Sequence, residues 1–315
     1  MFHTCRQIHD HLQNAKKIAL VCHQNPDGDT LGSASAMANY LTRNNKQVTI
    51  FCLHTLPASL IYLPHLHLLT NDCQIFTNRS IDTIIVLDCG DLRYAGIDRA
   101  LNNHSAVIIN IDHHATNEKY GQLNLVNSIA SSTAEVIYFF FKHNKINISR
   151  DTATALLTGI ITDTDNFSNS ASSISAISIA SQLILRGANL TLINKWTTKK
   201  FSINTLRLWG VVLERLEHKK ELNMAYTYLT KKDCEKYDIS DKTAEGVANF
   251  LNKIDGIKVA LFIKETADNK IKGSFRTNED DVDVAKMAKK LGGGGHKKAA
   301  GFTTTGTIEE TLNKI

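Results

Sequence analysis

The sequence predicts a doubly wound α/β domain on a mainly parallel sheet, followed by a smaller α+β domain. Three observations carry this. Short apolar, β-branched runs recur through the first half of the chain. Helix-like stretches alternate with those runs. Beyond about Met224 the alternation gives way to strands in closer succession.

Residues 18–22, 48–52, 83–88 and 107–112 are the strand-like runs. They are apolar throughout rather than alternating, as strands buried on both faces of a parallel sheet are. The stretch 30–45 follows a Pro-Asp-Gly turn and reads as the first crossover helix. Helices are expected over 132–143, 151–161 and 174–186. Residues 190–220 hold few breakers and read as one or two helices linking the domains. Trp196 and Trp209 fall there, in core-packing roles. Strands are expected over 224–229, 257–263 and 271–276, and a helix over 283–291. The expected division is 1–190, a linker over 191–222, and 223–315.

At 43% hydrophobic and 21% charged residues the composition is globular, and 315 residues bury a core without disulfides. The net charge of +5, from 36 Lys+Arg against 31 Asp+Glu, fits an anionic ligand without demanding one. It falls short of the long basic stripe that duplex DNA requires. The six cysteines form no CxxC pair, which argues against a zinc knuckle or a redox motif. No leader-like segment opens the chain, and no window approaches the ~18 apolar residues of a membrane span. A cytoplasmic protein without a membrane partner is expected.

Four segments deliver acids and imidazoles where apolar runs end. They are His23-Gln24-Asn25-Pro26-Asp27-Gly28-Asp29, then Asp88, then Asp112-His113-His114, and Asp163-Thr164-Asp165. Singly, each has a plain reading: an Asp at a strand end is ordinarily a turn former or helix N-cap, and Asp29 suits the cap of the following helix. Together they gain weight, because the ligand crevice of an open α/β sheet lies beyond the carboxyl ends of its strands. Asp27, Asp29, Asp88, Asp112 and Asp163, crowded there, do not all stay ionised without positive charge among them. Bound divalent cations are the simplest source, and oxygen and imidazole donors without thiolate favour Mn²⁺, Mg²⁺, Fe²⁺ or Co²⁺.

These motifs resemble the DHH phosphoesterase superfamily. The segments Gly273-Ser274-Phe275-Arg276 and Gly292-Gly293-Gly294-Gly295-His296-Lys297-Lys298-Ala299-Ala300-Gly301 resemble its associated C-terminal domain. The chain is most similar to the two-domain oligoribonuclease/PAP phosphatase (NrnA-type) group. The resemblance implies a centre of two cations, Mn²⁺ foremost, in a cleft between the domains. His23 and Asp27 would hold one ion, Asp29, His113 and Asp163 the other, with Asp88 bridging. It implies that Asp112 accepts a bond from a ligand imidazole and that His114 binds phosphate or donates a proton. Arg276 and His296 would grip substrate, with Gly293, Gly294 and Gly295 letting the backbone approach it. The plain reading of that glycine run is a helix-to-strand linker.

The substrates implied are short RNA and 3′-phosphoadenosine 5′-phosphate. The rival enzymatic reading is a phosphodiesterase for cyclic or linear dinucleotides such as c-di-AMP or pApA. The rival of another class is a nucleotide sensor without catalysis. A homodimer is compatible with all three. Asp165 stands where the family often has glycine, an added carboxylate at the mouth of the site.

Overall fold

The computed structural model describes residues 1–77, 79–101, 104–197, 201–239, 246–266 and 268–315. The chain divides into two units, Met1–Lys199 and Lys200–Ile315. The division falls within the expected linker, of which residues 198–200 lie outside the described residues.

Six parallel strands make the first unit's sheet: β1 (Lys17–Val21), β2 (Gln47–Phe51), β3 (Leu69–Thr70), β4 (Thr83–Leu87), β5 (Val107–Asp112) and β6 (Leu123–Val126). Their spatial order is β3-β2-β1-β4-β5-β6, so the winding reverses between β1 and β4. β4 is buried at every residue, in keeping with its unbroken apolar run. The pleat sends Ile18 and Leu20 to one face and Ala19 and Val21 to the other.

The first of these faces carries the main core, with α1 (Phe2–Asn14), α2 (Gly28–Arg43), α3 (Thr133–His143), α4 (Arg150–Asp163), α5 (Ile174–Leu185) and α6 (Leu190–Thr197). Phe140, Phe141, Leu31 and Met37 are fully buried here, and such side chains contribute about 1.5–3 kcal/mol each. The other face is covered by irregular segments carrying Phe76, Ala95, Ile97 and Leu101. α2 and α4 pack closely because Gly32 has no side chain: a Cβ there would stand 2.5 Å from the Ala155 carbonyl.

The second unit begins with α7 (Ile203–Glu214) and β7 (Glu217–Lys219), where the sequence had read only helix. It continues through β8 (Met224–Leu229), α8 (Lys231–Tyr237), α9 (Val247–Leu251), β9 (Val259–Glu265), β10 (Ile271–Arg276), α10 (Val284–Lys290), β11 (Gly294–His296), β12 (Ala299–Thr304) and α11 (Ile308–Asn313). These six strands form a mixed sheet in the order β11-β12-β10-β9-β8-β7, antiparallel except for β8 with β9. α10 and α11 contribute to the core on one face, and α7, α8 and α9 to that on the other. No single described helix is long and apolar enough to cross a membrane.

Candidate metal centre and substrate shelf

A doubly wound sheet binds its ligand outside the carboxyl ends of the strands where the winding reverses. In this chain that point lies between β1 and β4. His23 follows β1 by two residues, and Asp88 follows β4 directly in a left-handed turn with φ 58°. Asp112 is the last residue of β5 and Asp163 the last of α4. Asp27 is the N-cap of α2, accepting the N–H groups of Asp29 and Thr30. The capping role expected for Asp29 thus belongs to Asp27. Asp29 sits in the first turn of α2 and accepts the N–H groups of Thr133 and Ala134, at 2.6 and 2.9 Å, from the first turn of α3.

The structure brings these residues into three overlapping groups: His23, Asp27 and Asp88; Asp29, His113 and Asp163; and Asp88, His113 and His114. His23 Nε2 stands 3.6 Å from Asp27 Oδ1 and 3.5 Å from Asp88 Oδ2. His113 Nε2 stands 3.6 Å from Asp88 Oδ1 and 3.4 Å from Asp163 Oδ2. These gaps are long for hydrogen bonds. They suit ligands sharing an ion, which at about 2.1 Å and right angles stand about 3 Å apart. Asp88 faces His23 with one oxygen and His113 with the other, which is the geometry a bridging carboxylate needs.

The charges are mutually strained. Burial pushes the Asp29 carboxyl well up, and Asp88, Asp163 and Asp27 push it the same way. Asp163 rises to about 6, by burial first and then by Asp88 and Asp27. Burial disfavours charge on His23, yet Asp27 and Asp88 overcome it and raise the imidazole to about 9. Asp29 and Asp163 lean toward neutrality while His23 collects a proton and holds Asp27 ionised, which is what a carboxylate cluster does in place of a cation. The donor set therefore fits hard or intermediate divalent ions.

Asp112 is fully buried and takes three bonds: from His114 Nδ1 at 2.8 Å, from the His113 N–H at 2.8 Å and from Asn117 Nδ2 at 2.5 Å. The imidazole it orients is thus His114. His113 directs Nδ1 to the Ala130 carbonyl at 3.4 Å instead. Burial opposes charge on Asp112, but His114 and Asn117 hold its carboxyl below the usual range. The same contact raises His114 to about 9.

Three neighbours carried no sequence-level flag. The Thr133 hydroxyl donates to Asp88 at 3.0 Å, the Tyr94 ring stacks on His23 with centroids 5.0 Å apart, and Asn117 braces Asp112. Only Thr133 had a readable signal, since Ser-Thr-Ala-Glu over 132–135 is a helix start. Arg93 faces Asp91 and Glu118 on the surface.

Asp165 sits where the backbone suits a glycine. With Asn166 and Phe167 it forms a left-handed turn after α4, with φ of 47°, 57° and 61°. Glycine adopts that conformation without strain. The Asp165 carboxylate accepts the Ser168 hydroxyl at 3.2 Å.

In the second unit Arg276 pairs with Ala299, and Ala299 with His296, in one rung of the sheet. Residues opposed across strands share a face, so Arg276 and His296 flank an alanine floor. The next rung on that face, two residues along, is Ser274, Gly301 and Gly294. Arg276 is half-buried and donates through Nε to Asn249 Oδ1 at 2.8 Å and through Nη1 to the Phe275 carbonyl at 2.9 Å, while His296 is exposed. The glycines beneath have structural work. Gly292, with φ 76°, ends α10, and the Gly293 N–H returns to the Ala288 carbonyl at 2.9 Å. Gly293 and Gly295 lie so close to β12 that a Cβ on either would meet its backbone, whereas Gly294 is open.

Comparison with known proteins agrees with the fold. The family model described as DHH family, N-terminal domain, matches residues 17–160, and the DHHA1 domain model matches 221–315. The chain is 28% identical to a probable bifunctional oligoribonuclease and PAP phosphatase of Streptococcus mutans, over 91% of this chain and 89% of the relative. It is 26% identical to the bifunctional oligoribonuclease and PAP phosphatase of Bacillus subtilis, over 90% and 88%. Among solved structures it is similar to an exopolyphosphatase-related protein from Bacteroides fragilis, with 27% identity and a TM-score of 0.85, covering 99% of this chain and 94% of that one.

Proposed function

We propose that this chain, a DHH-family N-terminal domain joined to a DHHA1 domain, is a hydrolase of phosphate esters that acts with two divalent cations, foremost Mn²⁺, on short oligoribonucleotides and 3′-phosphoadenosine 5′-phosphate. The relatives named for both activities support it. The observation that carries it is Asp88, set at the winding reversal with one oxygen toward His23 and the other toward His113.

In this reading His23 and Asp27 hold one ion and Asp29, His113 and Asp163 the other, with Asp88 shared. Bound there, the cations would neutralise phosphate charge and acidify an attacking water. The residues of the chain do the rest. His114 keeps its ring partly exposed, with Nδ1 on Asp112, so Nε2 is available to a phosphate or a leaving oxygen. Arg276 and His296 bind a substrate phosphate or base on an alanine- and glycine-floored shelf.

The test is initial rate with Mn²⁺ on 3′-phosphoadenosine 5′-phosphate, a linear and a cyclic dinucleotide, and RNAs of graded length. Di- to tetranucleotides should give a higher kcat/KM than chains of about twenty, which need stacking platforms and a continuous basic track. Folded Asp88→Asn should be inactive. Near-normal Mn²⁺-dependent turnover by Asp88→Asn would reject the two-cation centre.

A further inference from the structure

Thr133 opens α3 and is fully buried beside the acidic cluster. Its two polar hydrogens go to two acids from different elements. The backbone N–H donates to Asp29 Oδ2 at 2.6 Å, and the side-chain hydroxyl donates to Asp88 Oδ1 at 3.0 Å. Asp29 comes from α2, and Asp88 from the turn after β4.

The segment carrying Thr133 is itself pinned. Ser132 caps α3 by accepting the Glu135 N–H. The Glu135 carboxylate, itself buried, accepts the N–H and hydroxyl of Ser131 at 2.8 and 2.6 Å, and the Ser175 hydroxyl. Thr133 is therefore a fixed donor, and the acids adjust to it.

We infer that Thr133 is a positioning residue for the metal centre, its hydroxyl setting the plane in which Asp88 faces His23 on one side and His113 on the other. The inference rests on the two-cation reading. A carboxylate that turns freely about its Cβ–Cγ bond offers two ions a poor bridge. One hydrogen bond to Oδ1 removes that freedom and leaves Oδ2 turned toward His23. Groups that orient metal ligands in this way typically alter affinity or activity by about 10–100-fold when lost.

The experiment compares Thr133→Val, which keeps the shape and removes the hydroxyl, with Thr133→Ser, which keeps the hydroxyl. Thr133→Ala replaces the valine variant if that protein does not fold. Metal-free protein is titrated with Mn²⁺ by calorimetry, and thermal unfolding is followed with and without the ion. Loss of the hydroxyl should weaken Mn²⁺ binding about 10–100-fold, and the serine variant should stay within about threefold of the parent. A merely structural role would lower the unfolding midpoint of metal-free protein and leave the Mn²⁺ Kd unmoved, and that result overturns the assignment. Failure of the parent protein to bind Mn²⁺ overturns the metal reading itself, and the assignment with it.

Discussion

His114 Nδ1 and Asp112 Oδ1 lie 2.8 Å apart, joining a partly exposed imidazole to a fully buried carboxylate. Asp112 has no freedom to follow the ring, because the His113 N–H and Asn117 hold it from other sides. Asp112→Asn replaces a charged acceptor with a neutral amide that fixes neither ring orientation nor tautomer. Turnover should fall by about 10²-fold with little change in KM, because proton transfer by a positioned group is worth about that much. Steady-state kinetics with saturating Mn²⁺ measure this, and an unchanged kcat would remove His114 from the chemistry.

The strained acids predict stabilisation by metal. An ion that binds only the folded protein stabilises it by about 2.7 kcal/mol at a hundredfold excess over Kd. The unfolding midpoint should climb with Mn²⁺ concentration and fall back on chelation. In Asp88→Asn it should hardly move. A flat response in the parent protein would contradict the cation sites.

Asp165 lies in the left-handed region, which costs an L-residue about 1–2 kcal/mol and glycine nothing comparable. Asp165→Gly gives up one exposed bond to Ser168. The expected gain is about 0.5–1 kcal/mol in urea unfolding, with Mn²⁺ affinity unchanged. A loss of affinity would show instead that its carboxylate reaches the ions.

The second unit should be acid-sensitive through Asp233. Burial opposes its charge, but Arg215, both of whose terminal nitrogens donate to it, and Thr230 hold the carboxyl down to about 2. A depressed carboxyl contributes stability above its unfolded value of about 3.9 and loses it as pH falls toward about 2. Asp233→Asn should cost about 1–3 kcal/mol at pH 7 and soften the further loss below about pH 4. Equal denaturation curves for variant and parent at pH 7 would refute this.

Arg276→Ala and His296→Ala should each raise KM for nucleotides and lower kcat/KM, about 10-fold or more for the arginine as a charge-assisted bond is lost. Metal content by elemental analysis should not change. Loss of metal from His296→Ala would mean the histidine has another job.

The sequence carried the parallel sheet and the acidic quartet because both depend on local signals. An unbroken apolar run ending in an acid is visible without tertiary knowledge, as in 83–88. β3 and β6 escaped notice because two residues and a half-buried Leu-Asn-Leu-Val carry too little pattern. α1 was not among the expected helices, although Cys5, Ile8 and Leu12, all of which are buried, stand at helical spacing. β11 and β12 were masked by glycines read for ligand approach, when Gly292 ends a helix and Gly293 and Gly295 admit a neighbouring strand. Which imidazole Asp112 would hold, and that Thr133 would reach Asp88, depend on contacts between distant segments that no window of sequence contains.

Asp27 caps α2, and Asp29 reaches across to satisfy the first turn of α3. On the proposed function, each acid would thus serve a helix as well as an ion. A descendant that lost turnover would still need both to keep its helices, and would shed His114 or His296 sooner. Across relatives, an intact Asp-Gly-Asp would then report a preserved fold, and the imidazoles would better sort working enzymes from retired ones.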